Sequence, residues 1–316
     1  MIFAARGLAV SSSVFVLLYC ALSIAVALAW RPLWIHARRY PAVRIADLLF
    51  ALRMLPFSAA AVITGAFIVP SFVLLEPRAI QEPIGGVPLF LGICGAGFVA
   101  YGLFNAVRAL SRASRAISGW TRNAQELASV SAVPVLRVAD PVPAMVAAGI
   151  ARPRVLLSGT AELLLSSEEL QRAMDHELAH VRRRDNLRKL LLRFVAFPGM
   201  FELEAAWVEA SEMAADDLAV STSREALDLA AALIKLSRVN PQESPADLTA
   251  ALIHSPLSSV NDRVARLIAW NDDRGVRQGF SAMYVRAGAV VTLATLAVTY
   301  MQLLVRIHTV TEWLIR

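Results

Sequence analysis

The sequence predicts a mainly α membrane protein, with four transmembrane helices and a cytosolic α+β domain inserted between the third and the fourth. Three observations carry that expectation. The 316 residues are 57% hydrophobic and 18% charged, with a mean hydropathy of +0.56, whereas a soluble domain is about a quarter charged. Apolar runs long enough to cross a bilayer, which takes about 20 residues, recur along the chain. Basic residues gather at alternate ends of those runs, as the positive-inside rule requires of cytosolic loops.

The first span is Leu8 to Trp30, too long for a signal-peptide core and without a small-residue cleavage site. Arg31, His36, Arg38, Arg39, Arg44 and Arg53 follow it, opposed by Asp47. Met54 to Leu75 is the second span, with Pro56, Gly65 and Pro70 tolerated as kinks. The loop "EPRAIQEPIGG" carries two glutamates against one arginine, and Val87 to Val107 is the third span. Arg108, Arg112, Arg115 and Arg122 come next. The arginine-rich loops are therefore expected in the cytosol, and both termini outside. Residues 1–110 form the first membrane region, 111–286 the cytosolic domain, and 287–316 a fourth span (Ala287 to Val305) with a short outer tail. Cys20 and Cys94 lie inside apolar stretches and read as inert small hydrophobes. The net charge of +6 sits beside apolar runs, so it reads as topology and not as nucleic-acid binding.

Within residues 111–286 the pattern is mixed. Gly119 to Val130 reads as a helix, whereas "PVLRVAD", "PAMVAAGI" and "RPRVLLS" read as short strands. Ser166 and Glu169 have capping-box spacing and open a helix that runs to about Arg184. Further helices are expected at Asn186–Phe197, at Phe201–Val220, at Ala226–Val239 and at Ser259–Asn271; Asp185 either caps the first of these, the preferred reading, or binds an arginine.

The capped helix contains "HELAH". His176 and His180 are four residues apart, so both imidazoles leave one helix face and can bind a single zinc ion. Glu177 lies about 100° round the helix, placed to take a proton from a water in the open coordination position. A catalytic zinc needs a third protein ligand. Glu212 is the expected one, with Glu204, Glu209 and Asp217 as rivals. Asp216, one turn beyond Glu212, is positioned to accept an N–H from a ligating histidine.

The string "HELAHVRRRDNLRKLL", then "FP" and "EMAADDLAV", resembles the BlaR/MecR-type membrane metallopeptidases, whose zinc domain is gluzincin-like. The resemblance spans essentially the whole chain. It implies one zinc ion held by His176, His180 and Glu212, with Glu177 as catalytic base. It also implies that Ala144, Met145, Val146, Ala147 and Ala148 form the edge strand that receives substrate backbone. Sensor members continue into an extracellular penicillin-binding domain. This sequence ends at Arg316 with no SxxK after the last run, so direct covalent sensing of β-lactam is not expected.

Two residues are candidates for the oxyanion side of the chemistry. His254, in a stretch loosely similar to the "HP…R" element of HtpX and CAAX-protease relatives, is a candidate donor; Arg263 is expected to brace the zinc helices. Arg182, Arg183, Arg184, Arg188, Lys189 and Arg193 lack interleaved aromatics and read as attraction to anionic lipid. The resemblance thus implies a multi-pass protease of the bacterial plasma membrane. Its expected partners are a protein substrate such as a winged-helix BlaI/MecI-type repressor, itself by self-cleavage, lipids, and a second copy in a homo-oligomer. The alternatives are an HtpX-like quality-control protease and a non-catalytic zinc-binding transducer.

Overall fold

The computed structural model describes residues 2–37, 40–77, 85–130, 133–139, 144–239, 250–251, 257–270 and 300–309. The chain divides into two compact units. One contains Met1–Leu28, Met54–Tyr101 and Gly275–Arg316; the other contains Ala29–Arg53 and Gly102–Arg274.

Three helical runs are long and apolar enough to cross a membrane: Phe3–Pro32, Ala42–Leu75 and Gly86–Trp120. The first lies in α1 (Ile2–Ala37). The second comprises α2 (Ala42–Ile63), a π-helical turn (Thr64–Ile68) and α3 (Val69–Leu75). The third is α4 (Gly86–Trp120). The expected fourth span lies mostly outside the described residues, of which 300–309 form a helix, α11. In the first unit, the rings of Phe15, Tyr19, Phe57 and Phe98 cluster edge-to-face or stacked, with centroids 5.6–5.9 Å apart. Tyr300 donates to Ala66 O at 2.6 Å, meeting a carbonyl in the π-helical turn, where the regular helix ladder is interrupted.

The second unit is built on a five-stranded sheet of order β1-β2-β4-β3-β5. The strands are β1 (Gln125–Val130), β2 (Val133–Val138), β3 (Met145–Ala148), β4 (Arg154–Ser158) and β5 (Ala250–Ala251). β2 and β4 run parallel, and the other pairs are antiparallel. The helix expected over Gly119–Val130 is corrected: α4 ends at Trp120, and residues from Gln125 form a strand paired with β2. Pairing with β2 outweighs the local preference of "QELASV". Gly149 turns β3 back into β4 with φ +92°, a backbone conformation natural to glycine.

One face of the sheet carries Met145, Val155 and Leu157, which pack in a buried cluster with Ala173, Leu178, Leu229, Leu233, Leu236 and Leu267. These come from α6 (Ser167–Arg183), α9 (Ser223–Val239) and α10 (Leu257–Ile268). The other face carries Val138, Val146, Ala148 and Leu156 against Ile117 and Trp120 at the end of α4. α5 (Gly159–Leu164) joins the sheet to α6. α7 (Asp185–Phe194) and α8 (Phe201–Ala219) complete the unit. α4 approaches α7 closely at Gly102, where a Cβ would fall 2.1 Å from Phe194 O.

Several of the arginines expected on the cytosolic side form specific pairs in this unit. Arg53, fully buried, reaches Glu204 Oε1 of α8 at 2.9 Å and also donates to Val195 O after α7. Arg188 and Arg183 meet Asp47 of α2 at 2.6 and 3.5 Å, and Arg31 pairs with Glu202. Within the basic cluster Arg183 and Arg188 are thus paired and Lys189 is buried, whereas Arg182, Arg184 and Arg193 are exposed.

Candidate metal centre

α6 begins with the capping box that the sequence predicts. Ser166 Oγ accepts from Glu169 N at 3.3 Å, and Glu169 Oε2 accepts from Ser166 N at 2.9 Å. Four residues of spacing then bring His176 and His180 to one buried face, their ring centroids 4.8 Å apart. α6 stops at Arg184, whose φ of 56° is left-handed and uncommon outside glycine. That turn sends the next residue back towards the helix.

The next residue is Asp185, and here the sequence expectation is corrected. Asp185 does not cap α7: the capping position belongs to Arg184, which makes no side-chain cap bond. Its Oδ2 lies 2.8 Å from His180 Nδ1 and 3.4 Å from Arg183 Nε. On the other ring, His176 Nδ1 lies 2.9 Å from Asp216 Oδ1. A carboxylate beside each Nδ1 favours a proton there, so Nε2 is the atom that each ring offers inward to a metal.

Those inward atoms converge. His176 Nε2 and His180 Nε2 are 3.2 Å apart, Glu212 Oε2 is 3.6 Å from the first, and Glu212 Oε1 is 3.5 Å from the second. Donors bound to one tetrahedral zinc at about 2.0–2.1 Å stand roughly 3.3–3.4 Å from one another, so the spacing fits that ion closely. Among the described residues, His176, His180 and Glu212 are the group placed to hold a metal. The rivals are engaged elsewhere or lie outside that group: Glu204 pairs with Arg53 and Asp217 with Arg266, while Glu209 is partly buried on α8.

Charge makes an independent case. Glu177, Asp185, Glu212 and Asp216 are all buried here, against the buried cations Arg263 and Lys189. Carboxylates outnumber these two cations at the cluster, an excess that a protonated His180 or a bound cation offsets. Arg263 holds Asp216 with two bonds, at 2.8 and 2.7 Å, and reaches Glu212 Oε2 at 3.1 Å. This is the bracing position between α10 and α8. Burial disfavours ionised Glu212, yet His180, His176 and Arg263 bring it well below the usual carboxylate range. Burial likewise works against a charged His180, but Glu212 and Asp185 raise it to about 10.

Glu177 points from α6 to the sheet. Its Oε2 accepts from Ala147 N of β3 at 2.7 Å, and its Oε1 has no hydrogen-bond partner among the described residues. Burial pushes Glu177 up to about 7, against the pull of His176 and His180. Asn186 binds the same strand, donating to Ala147 O at 3.0 Å and to Gly149 O at 3.2 Å. The free edge expected at Ala144–Ala148 is also corrected. β5 pairs with Val146 and Ala147, and Glu177 and Asn186 engage the backbone of Ala147. A two-residue strand contributed from a distant part of the chain leaves no local pattern to read. His254 lies outside the described residues.

Residues 86–267 match the family described as BlaR1 peptidase M56. The chain belongs to that family. The match takes in the third apolar helix, the sheet and every residue of the metal cluster. Members of the family are membrane-associated zinc metallopeptidases. No curated protein matches the chain. Asp185 is the member of the site that spacing alone missed. Its signal is an acid five residues beyond the second histidine, which becomes meaningful only with a left-handed residue between them.

Proposed function

We propose that this M56 member is a zinc endopeptidase that cleaves a cytosolic or membrane-proximal protein, using one ion held by His176, His180 and Glu212. The observation that carries the reading is Glu177, which shares the buried pocket with three donor atoms at tetrahedral spacing and keeps one carboxylate oxygen unengaged. A site that used metal only for structure needs no such base.

Zinc, when bound, supplies a Lewis acid and eases deprotonation of the attacking water. Glu177 Oε1 accepts that proton and later returns one to the departing amine nitrogen. Ala147 N–H fixes the other oxygen, so the carboxylate is oriented before substrate arrives. Asp185 and Asp216 keep the two rings in the tautomer that presents Nε2. Arg263 prevents the two α8 carboxylates from repelling one another.

The arginine-rich segments after the first and third apolar runs argue for a cytosolic active site with extracytoplasmic termini. Resemblance to the BlaR/MecR type favours a regulatory substrate, a winged-helix repressor of the BlaI/MecI kind, and self-cleavage. Glu177→Ala should retain zinc and lose proteolysis. A proteome comparison of cells carrying each form should show the substrate accumulating intact in the variant. Identical fragment patterns in the two would sink the hydrolytic reading.

A further inference from the structure

The two helices that carry Asp185 and Glu212 are joined by "FVAFPGMF", residues 194–201, eight positions without one polar side chain. A turn on a water-facing surface normally holds Asn, Asp, Ser or Gly. Two members of this one pack inward: Val195 and Met200 are each 1% exposed. Phe201 does the opposite and stands 75% exposed at the first position of α8, with Pro198 and Gly199 also exposed. A single apolar residue on a surface needs no explanation. What matters here is where this one lies.

Three segments locate it, each near the point where an apolar run gives way to charge. Arg31, which follows the first run, pairs with Glu202. Arg53, which precedes the second, pairs with Glu204 and donates to Val195 O within the turn. The ring of Phe50, on the same stretch of α2, meets Trp207 of α8 with centroids 6.2 Å apart. Gly102 lies inside the third apolar helix, six positions before Arg108, its first charged residue. A side chain at Gly102 would collide with Phe194 O. Six residues of helix are about 9 Å, so the turn meets α4 on the apolar side of that first charge. Arg31 and Arg193 are exposed beside it, cations at the level where lipid phosphates lie.

We propose that the α7–α8 turn is an interfacial membrane anchor, with Phe201 and Pro198 entering the headgroup–acyl boundary of the leaflet at which the three apolar runs end. Those runs tether the chain to the bilayer; this contact is made by the metal-bearing unit itself. A protein covering Phe201 would have to displace the lipid around the adjoining ends of all three runs. The consequence is positional. Glu212 follows Phe201 by eleven residues on α8, about 16 Å along the helix. The metal centre is therefore held close to the leaflet, and a scissile bond must come within that reach of the surface. That last step rests on the hydrolytic reading, whereas the contact with lipid does not.

The test reads the contact without any assay of hydrolysis. Full-length protein carrying Cys20→Ala and Cys94→Ala is reconstituted in liposomes of phosphatidylcholine and phosphatidylglycerol. A nitroxide is attached in turn at Phe201→Cys and at Pro198→Cys, so that a fold intolerant of one still reports through the other. Power saturation compares collision with oxygen, which concentrates among acyl chains, and with a water-soluble nickel chelate. Phe90→Cys on α4, 66% exposed, gives the lipid reference, and Leu163→Cys on α5, 86% exposed, gives the water reference. Both turn labels should meet oxygen more than nickel and lie about 5–10 Å below the phosphates. Adding Phe201→Glu should raise nickel access at the Pro198 label severalfold. Turn labels as open to nickel as Leu163 overturn the proposal, and so does a Pro198 label that Phe201→Glu leaves unmoved. Low access to both reagents also overturns it, since that marks a surface covered by protein, either a second copy or a partner. An oxygen-rich label at Leu163 has the same force, because the whole unit and not the turn would then lie in lipid.

Discussion

Replacing Arg263 with methionine should destabilise the zinc-stripped protein far more than the loss of an ordinary ion pair would. Arg263 is fully buried and makes three hydrogen bonds of 2.7–3.1 Å to Asp216 and Glu212, which are 0% and 1% exposed. Without it, two carboxylates on consecutive turns of α8 face one another where water cannot solvate them. Breaking a buried pair in this way costs about 3–5 kcal/mol. For a domain of this size that corresponds to a fall in Tm of roughly 6–20 °C. Thermal unfolding followed by helical ellipticity, in detergent with chelator, reads the change directly. Arg263→Met combined with Asp216→Asn removes one stranded charge and should recover a large part of the loss. Zinc should also narrow the gap, because a divalent ion restores part of the missing positive charge. A single variant within about 1 kcal/mol of wild type would refute the charge accounting. So would a double variant no more stable than the single one.

Two further outcomes follow from the same geometry. Asp185→Asn keeps the volume at His180 Nδ1 but removes the charge, so zinc affinity measured by chelator competition should fall about 10–100-fold; an unchanged affinity would mean that the contact does not orient the ring. Glu212 and Asp185 raise His180 to about 10, so in zinc-stripped protein near neutral pH this ring is protonated and binding must expel the proton. Calorimetry in buffers of different ionisation enthalpy should report about one proton released per zinc at pH 7.5, with affinity rising as pH rises. The sign for folding is the reverse. The stability that this contact adds to the stripped protein is complete below the unfolded histidine value of about 6.5, and is lost as pH climbs through about 10. No proton release would place the raised value in doubt.

Much of the centre can be read directly from spacing, because a helix converts intervals of four into neighbours. His176 with His180, and Glu212 with Asp216, need only that rule, and the capping box at Ser166 and Glu169 needs only the first turn of the same helix. What escaped reading depends on contacts between distant parts of the chain. Asp185 looks like a helix cap until Arg184 adopts a left-handed turn. "QELASV" becomes a strand because β2 is available beside it. Lys189 sits in a run of arginines, and nothing local distinguishes it from them. Its burial is decided by which face of α7 meets the cluster.

The unit that contains the cluster also contains Ala29–Arg53, the C-terminal end of α1 and the start of α2. Among the described residues, acid–base contacts hold those segments to the helices of the site: Arg31 to Glu202, Asp47 to Arg188 and Arg183, and Arg53 to Glu204. The first two are partly open to solvent and are worth little. Arg53 is different, being fully buried, bound to α8 through Glu204 and to the end of α7 through Val195 O. α7 carries Asp185 and Lys189, and α8 carries Glu212 and Asp216. Any displacement of α2 along its axis must therefore either strand a buried guanidinium, at a cost of several kcal/mol, or move both helices with it.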